Sequence, residues 1–160
     1  MQKIASYIQE SFYNIYQFND LAGNLEDVEP SSIAAQLDYI QEEYLETVEA
    51  FDLKDDKELL DGAIDIFVTS VGLLQKLEAA GFNVKEAMQR VDQNNLSKFL
   101  RYEQEVLDNK HFKWTMKFND KYQRWVLKDG TGKVKKPLNF KPVEIGDCAV
   151  VGFLATEEVV

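Results

Sequence analysis

KELLDGAIDIFVTSVGLLQKL, residues 57–77, is the stretch on which the fold class turns. Placed on a helix at ~100° per residue, its Leu59, Leu60, Ala63, Ile64, Ile66, Phe67, Val68, Val71, Leu73, Leu74 and Leu77 cover almost the whole circumference. A helix that apolar on all sides is mostly buried. One narrow polar stripe interrupts it: Glu58, Asp61, Asp65, Thr69 and Gly72, at spacings of 3, 4, 4 and 3. Acids in such a setting call for an explanation, because a carboxylate removed from water costs several kcal/mol or more unless a cation or hydrogen-bond donors meet it.

Working outward, "AAGFN" ends this helix near residue 80, with Gly81 as its C-terminal cap. Asn83 is placed to cap a further helix running through Val91 to about Leu107. Upstream, "DLKDD" is a short acidic connection to a helix that starts at Pro30–Ser31–Ser32. Leu37, Ile40, Tyr44, Val48 and Phe51 recur on that helix at helical spacing, which predicts its core-facing side. Residues 2–18 repeat the pattern with Ile4, Tyr7, Ile8, Phe12, Ile15 and Tyr16 before "NDLAGN" breaks it. After His111 the pattern changes, and "YQRWVLKDGTGKVKKP" reads as a β-hairpin around Asp129–Gly132. The expected fold is therefore all-α: a helical bundle of about four to five helices with a small basic hairpin and extended C-terminal appendage.

Charge supports a division near residue 110. Residues 1–109 hold 22 acids and 8 bases; residues 110–141 hold 2 acids and 10 bases. The expected domains are 1–109, a helical catalytic body, and 110–160, a basic hairpin and tail packed on it. A net charge of −10 argues against non-specific nucleic-acid binding by the whole chain. The longest uncharged apolar run, IFVTSVGLLQ, is about half the ~20 residues a membrane span needs. The N-terminus lacks a signal peptide's apolar centre, and one cysteine, Cys148, excludes an internal disulfide. A cytoplasmic protein with no membrane or nucleic-acid partner is the expectation.

The helix before the polar stripe carries its own acids in "IQEEYLETVEAF", residues 40–51. Glu42, Glu46 and Glu49 lie largely opposite the predicted apolar side, and Glu43 lies nearer its border. Two readings stay open. The acids form a solvated face, or those of the two helices face each other across a short turn and cage a metal. For the second reading Mg²⁺ is the economical partner, with oxygen ligands and waters left for substrate phosphates. Zinc wants Cys or His, and a di-iron bundle wants Glu-x-x-His on its helices, whereas the single histidine, His111, lies outside the constellation.

In order along the chain stand Glu43-x-x-Glu46 preceded by Glu42, then "DIFV" from Asp65, then "GF", then "NLSK" at 95–98, and late in the chain "DGTGKVKKPLNFKP". This ordered set, over about residues 12 to 145, resembles the all-α, MazG-like nucleoside triphosphate pyrophosphohydrolases, particularly their small, phage-type branch. The resemblance implies Mg²⁺-dependent hydrolysis of a (deoxy)nucleoside triphosphate to the monophosphate and pyrophosphate, with Mn²⁺ able to substitute. It makes Glu43 and Glu46 metal ligands and lets Glu42 bind a further ion or activate water. It makes Asp65 a ligand on the next helix, Asn95 and Lys98 substrate contacts, and Lys136 a residue that folds over the site. It also implies a homodimer or homotetramer.

The chain departs from the family pattern at Gly62, where the second motif has an acid three positions before Asp65. Either Asp61 supplies the missing oxygen beside Asp65, with Glu58 as an outer ligand, or Glu58 and Asp61 form the literal E-x-x-D. Two other readings compete with this one: a non-enzymatic helical interaction module, and an enzyme like the related phosphoribosyl-ATP pyrophosphohydrolases.

Overall fold

The structure, a computed structural model, describes residues 2–109, 111 and 113–155, with side chains from residue 6 onward, so that the side chain of Ile4 lies outside it. It is mostly helical with one two-stranded antiparallel sheet, the expected all-α class. The chain forms two compact units, residues 1–84 with 148–160, and residues 85–147. The contact boundary thus differs from the charge boundary at residue 110.

The first unit contains α1 (Gln2–Leu21), α2 (Pro30–Leu53) and α3 (Asp56–Ala79). Pro30 starts α2 at a position where its missing N–H costs nothing. Lys54 stops α2 in the left-handed region at φ 59°, its N–H bonded back to Ala50 and Phe51 carbonyls. Asp55 then caps α3, its carboxylate accepting from the N–H groups of Lys57 and Glu58 at 3.1 Å each. With only Lys54 and Asp55 between them, α2 and α3 must run antiparallel as neighbours. Gly81 follows α3 at φ +94°, the left-handed position expected of it. Residues 148–155 return to this unit. The Cys148 carbonyl accepts from Asn83 N–H at 2.8 Å, and Phe82 meets Phe153 edge to face at 5.3 Å between ring centres.

The buried side of α2 corrects the sequence expectation. Ile33, Gln36 and Ala50 are buried and Ile40, Glu43 and Thr47 half-buried, at spacings of 3, 4, 3, 4 and 3. Leu37, Tyr44, Val48 and Phe51 are exposed, Phe51 at 67%. On α3 the matching row is Gly62, Asp65, Thr69, Gly72 and Lys76, a repeat of the kind that keeps two helices in register. Two glycines set how close the helices come. A Cβ on Gly62 would collide with Thr47 Oγ1 and stand 3.2 Å from Thr47 Cα; one on Gly72 would stand 3.1 Å from Gln36 Nε2. Gln36 Nε2 donates to the Thr69 carbonyl at 2.9 Å. Asn19 of α1 donates to Gln75 of α3 at 2.9 Å, and Gln75 donates to the Phe12 carbonyl at 3.3 Å. The seams of this unit are therefore substantially polar. Helix α3 is also less buried than its composition predicts, with Leu60 at 65% and Ile64 at 50% exposure.

The second unit contains nearly all of α4 (Val84–Leu96), then α5 (Glu103–Asp108) and strands β1 (Thr115–Asn119) and β2 (Arg124–Lys128). The single helix expected from Asn83 to Leu107 is two, broken at residues 97–102 where Leu100 exchanges hydrogen bonds with Trp125. Leu100, Val106 and Leu127 form its buried core, with Trp114, Met116 and Trp125 packed on them. The hairpin pairs Thr115 with Lys128 through Asn119 with Arg124, so its turn lies at residues 120–123 and not at Asp129–Gly132 as expected. The later turn exists but leads only to a single bridge between Lys128 and Val134. Its hinge is Asp129, whose carboxylate accepts from Thr131 Oγ1 at 2.6 Å and from the N–H groups of Thr131 and Lys133. These bonds, the Thr131 hydroxyl foremost, hold its pKa down at about 2. Arg90 closes the unit, gripping Asp147 with two parallel bonds of 2.6 and 3.0 Å.

Candidate functional site

The α2–α3 register decides which acids meet. Thr47 lies against Gly62 and Gln36 against Gly72, so one step up α2 is one step down α3. Glu43 then comes opposite Asp65, and both are half-buried on the seam. Each is followed four residues later by a threonine that bonds back to its carbonyl: Thr47 Oγ1 to Glu43 O at 2.6 Å, and Thr69 Oγ1 to Asp65 O at 2.8 Å. These hydroxyls spend their donors on the backbone, and donate nothing to the carboxylates.

The electrostatics agree with this placement. Burial pushes the Glu43 carboxyl above its ordinary pKa, and the negative charges of Asp65, Glu46, Glu42 and Asp61 push it further in that order. Four of the other five predicted acids thus act on Glu43. Glu42, Glu46 and Asp61 stand on the exposed flank of the seam. Glu58 is different: it lies a turn nearer the start of α3, is exposed, and pairs with Lys57. No base among the described residues forms an ion pair with Glu43, Glu46, Asp61 or Asp65.

The donor set is carboxylate oxygen only, which suits a hard divalent cation such as Mg²⁺. The side chains are not drawn tightly together: among the described residues no three His, Cys, Asp or Glu groups already stand at ligating distance of a common point.

Asn95, Lys98 and Lys136 belong to the second unit, where they meet around a residue that sequence reasoning missed. Lys98 Nζ donates to Asn95 Oδ1 at 2.7 Å and lies 5.9 Å from the Phe140 ring centre; Lys136 Nζ lies 4.9 Å from the same centre. Phe140 thus carries two ammonium groups on one ring. The available signal was the lone aromatic in "KKPLNFK". Gly62, noted in the sequence only as a missing acid, is the residue that lets α2 and α3 touch.

Lys76, near the end of α3, is buried, and the one acceptor its Nζ meets among the described residues is the Ser32 carbonyl, at 3.4 Å. Burial lowers its pKa. No helix among the described residues is long and apolar enough to cross a membrane. No family model matches this chain, and no curated protein or solved structure matches it either.

Proposed function

We propose that the first unit hydrolyses a (deoxy)nucleoside triphosphate to the monophosphate and pyrophosphate with Mg²⁺, Mn²⁺ being able to substitute. The observation that carries this reading is Glu43 opposite Asp65 on a helix seam, with Glu42, Glu46 and Asp61 adding charge of the same sign and no ion pair to any of them among the described residues. Glu43 and Asp65, half-buried and of like sign, repel each other, a cost that a bound cation would offset.

Glu43, Glu46, Asp61 and Asp65 would hold the metal, with Glu58 as an outer group. When bound, Mg²⁺ lowers the pKa of water and offsets charge on the phosphates. Glu42, exposed beside Glu43, accepts a proton from the attacking water. The water oxygen bonds to the α-phosphorus, the bond from that phosphorus to the bridging oxygen breaks, and pyrophosphate leaves with the electron pair. The residues that the resemblance makes substrate contacts, Asn95, Lys98 and Lys136, lie in the second unit, where Lys98 is bonded to Asn95 and both ammonium groups share the Phe140 ring.

The test is incubation with a panel of nucleoside and deoxynucleoside triphosphates and Mg²⁺, reading monophosphate and pyrophosphate in equal amounts. Glu46→Gln should lower turnover at least 100-fold while leaving the melting transition in place. Absence of product with every nucleotide, or undiminished turnover in Glu46→Gln, refutes the assignment.

The exposed apolar faces of α1 and α2 support the further proposal that the chain works as a homodimer or homotetramer. Phe18 (67%), Leu21 (89%) and Phe51 (67%) head these faces, which a second copy would cover. The same faces favour a second reading, a helical interaction module without catalysis. Mg²⁺ with a nucleotide separates the two, since a ligand at 100 times its Kd stabilises by ~2.7 kcal/mol and a pure interaction module gains nothing from either.

A further inference from the structure

The second unit holds a cavity of about 850 Å³, within the ~300–1,000 Å³ of small-molecule sites. None of the acids gathered around Glu43 lines it. Its walls combine three chemistries. Phe99 and Tyr122 give aromatic surface, Gln93 and Asn139 give amides, and Arg101 and Arg124 give positive charge.

How these groups are held matters more than their number. Arg124 Nη1 donates to the carbonyls of Gln123 at 2.9 Å and Tyr122 at 3.4 Å, which fixes the guanidinium at the end of the hairpin turn. Its other donors meet no partner among the described residues. The Arg101 guanidinium makes no ion pair or hydrogen bond among them. The one acid in the wall, Glu105, is committed elsewhere, accepting from the backbone N–H groups of Arg101 at 3.0 Å and Tyr102 at 2.9 Å to cap α5. The side-chain amides of Gln93 and Asn139 are likewise unengaged among the described residues. Two forked cations with open donors match phosphate oxygens. The Phe99 and Tyr122 rings, the latter with Lys121 Nζ 5.1 Å from its centre, and the amides match a flat heterocycle with a polar edge. One ligand class carries both.

We infer that this cavity binds a nucleoside phosphate, its phosphate on Arg101 and Arg124 and its base on Tyr122 and Phe99. The inference stands apart from the hydrolase reading, since it needs neither metal nor turnover. Two sources share the chemistry: a free mononucleotide, or one residue of a single strand. The net charge of −10 disfavours a long polyanion. A smaller cavity of about 450 Å³, which shares Gln93, Ser97 and Asn139 with the first, is where a second residue would continue.

Calorimetric titration of the full chain in EDTA, with adenosine and thymidine 5′-monophosphates and separately with a ten-residue oligothymidine, tests it. Saturable mononucleotide binding is expected, weakened about tenfold in each of Arg101→Gln and Arg124→Gln, as loss of a charged hydrogen bond implies, and unchanged in Glu43→Gln. Oligothymidine binding more than tenfold tighter, with the same loss in the arginine variants, supports the site and names the strand as its source. Melting curves of the variants guard against unfolding, and Tyr122→Leu gives a second reading that spares the charges. No binding of any probe at millimolar concentration, or binding indifferent to both arginines, overturns the inference. So does binding that Glu43→Gln abolishes, which would assign it to the carboxylate site.

Discussion

Glu43 and Lys76 show how single side chains carry the stress of this fold. Glu43 has a raised pKa, so between its ordinary and its raised value the folded state binds more protons than the unfolded one. Stability from this group is therefore greatest at acid pH and falls as pH rises through the raised value. At neutral pH the folded protein carries the repulsion, and a divalent cation should relieve it. Mg²⁺ is expected to raise the melting temperature of the wild type, most strongly above the Glu43 pKa. In Glu43→Gln the metal-free protein should melt higher and the Mg²⁺ increment should shrink; an undiminished increment removes Glu43 from the ligand set. Lys76 has the opposite sign. Its pKa is lowered, so the unfolded state binds more protons between the lowered value and the ordinary one, and stability rises with pH across that window. Lys76→Met, which keeps the stem and removes the buried ammonium, should stabilise by on the order of 1 kcal/mol and flatten that rise. Thermal melts at neutral and alkaline pH would check both outcomes.

At the scale of elements, the α2–α3 hairpin makes the site. Its two-residue turn, capped by Asp55, fixes direction, and Gly62 against Thr47 fixes distance and register. Gly62→Ala gains helix propensity but drives a methyl into Thr47, whose hydroxyl is already bonded to the Glu43 carbonyl. Overpacking of this kind costs ~1–3 kcal/mol, more than the ~1 kcal/mol that alanine gains over glycine in a helix. The variant should melt lower and lose activity more than its stability loss explains, because Glu43 and Asp65 move apart. A melting temperature at or above wild type contradicts the close crossing. A side chain of any size has no room at position 62 while Thr47 stays where it is.

Across the whole molecule, polar groups occupy seams that apolar groups were expected to fill. Gln36 and Gln75 are buried and Glu43, Thr47, Asp65 and Thr69 half-buried in the first unit, while Tyr7, Phe18, Leu37, Tyr44 and Phe51 face outward. Exposed apolar surface of more than a few hundred Å² marks an interface, and its burial yields ~25 cal/mol per Å². Light scattering after size exclusion should therefore give two or four times 18.4 kDa, and paired Leu37→Glu and Phe51→Glu changes should shift the protein to monomer or to aggregate. A wild-type monomer at micromolar concentration sinks the assembly proposal.

The sequence by itself determined most of the elements: four helical stretches, a short acidic connection between the second and third, the Gly81 stop, and the inventory of acids on consecutive helices. These depend on local preferences and spacing, which are written along the chain. Only the tertiary structure decided which side of α2 is inside, that helix α3 leaves Leu60 and Ile64 in water, that Lys76 is buried, and that the strands turn at residues 120–123. Such choices arise from competition between distant segments. The approach of α2 to α3 at two glycines outweighs the apolar stripe Leu37–Phe51, because backbone contact is strictly short-ranged, whereas an apolar face can be satisfied by any surface that covers it.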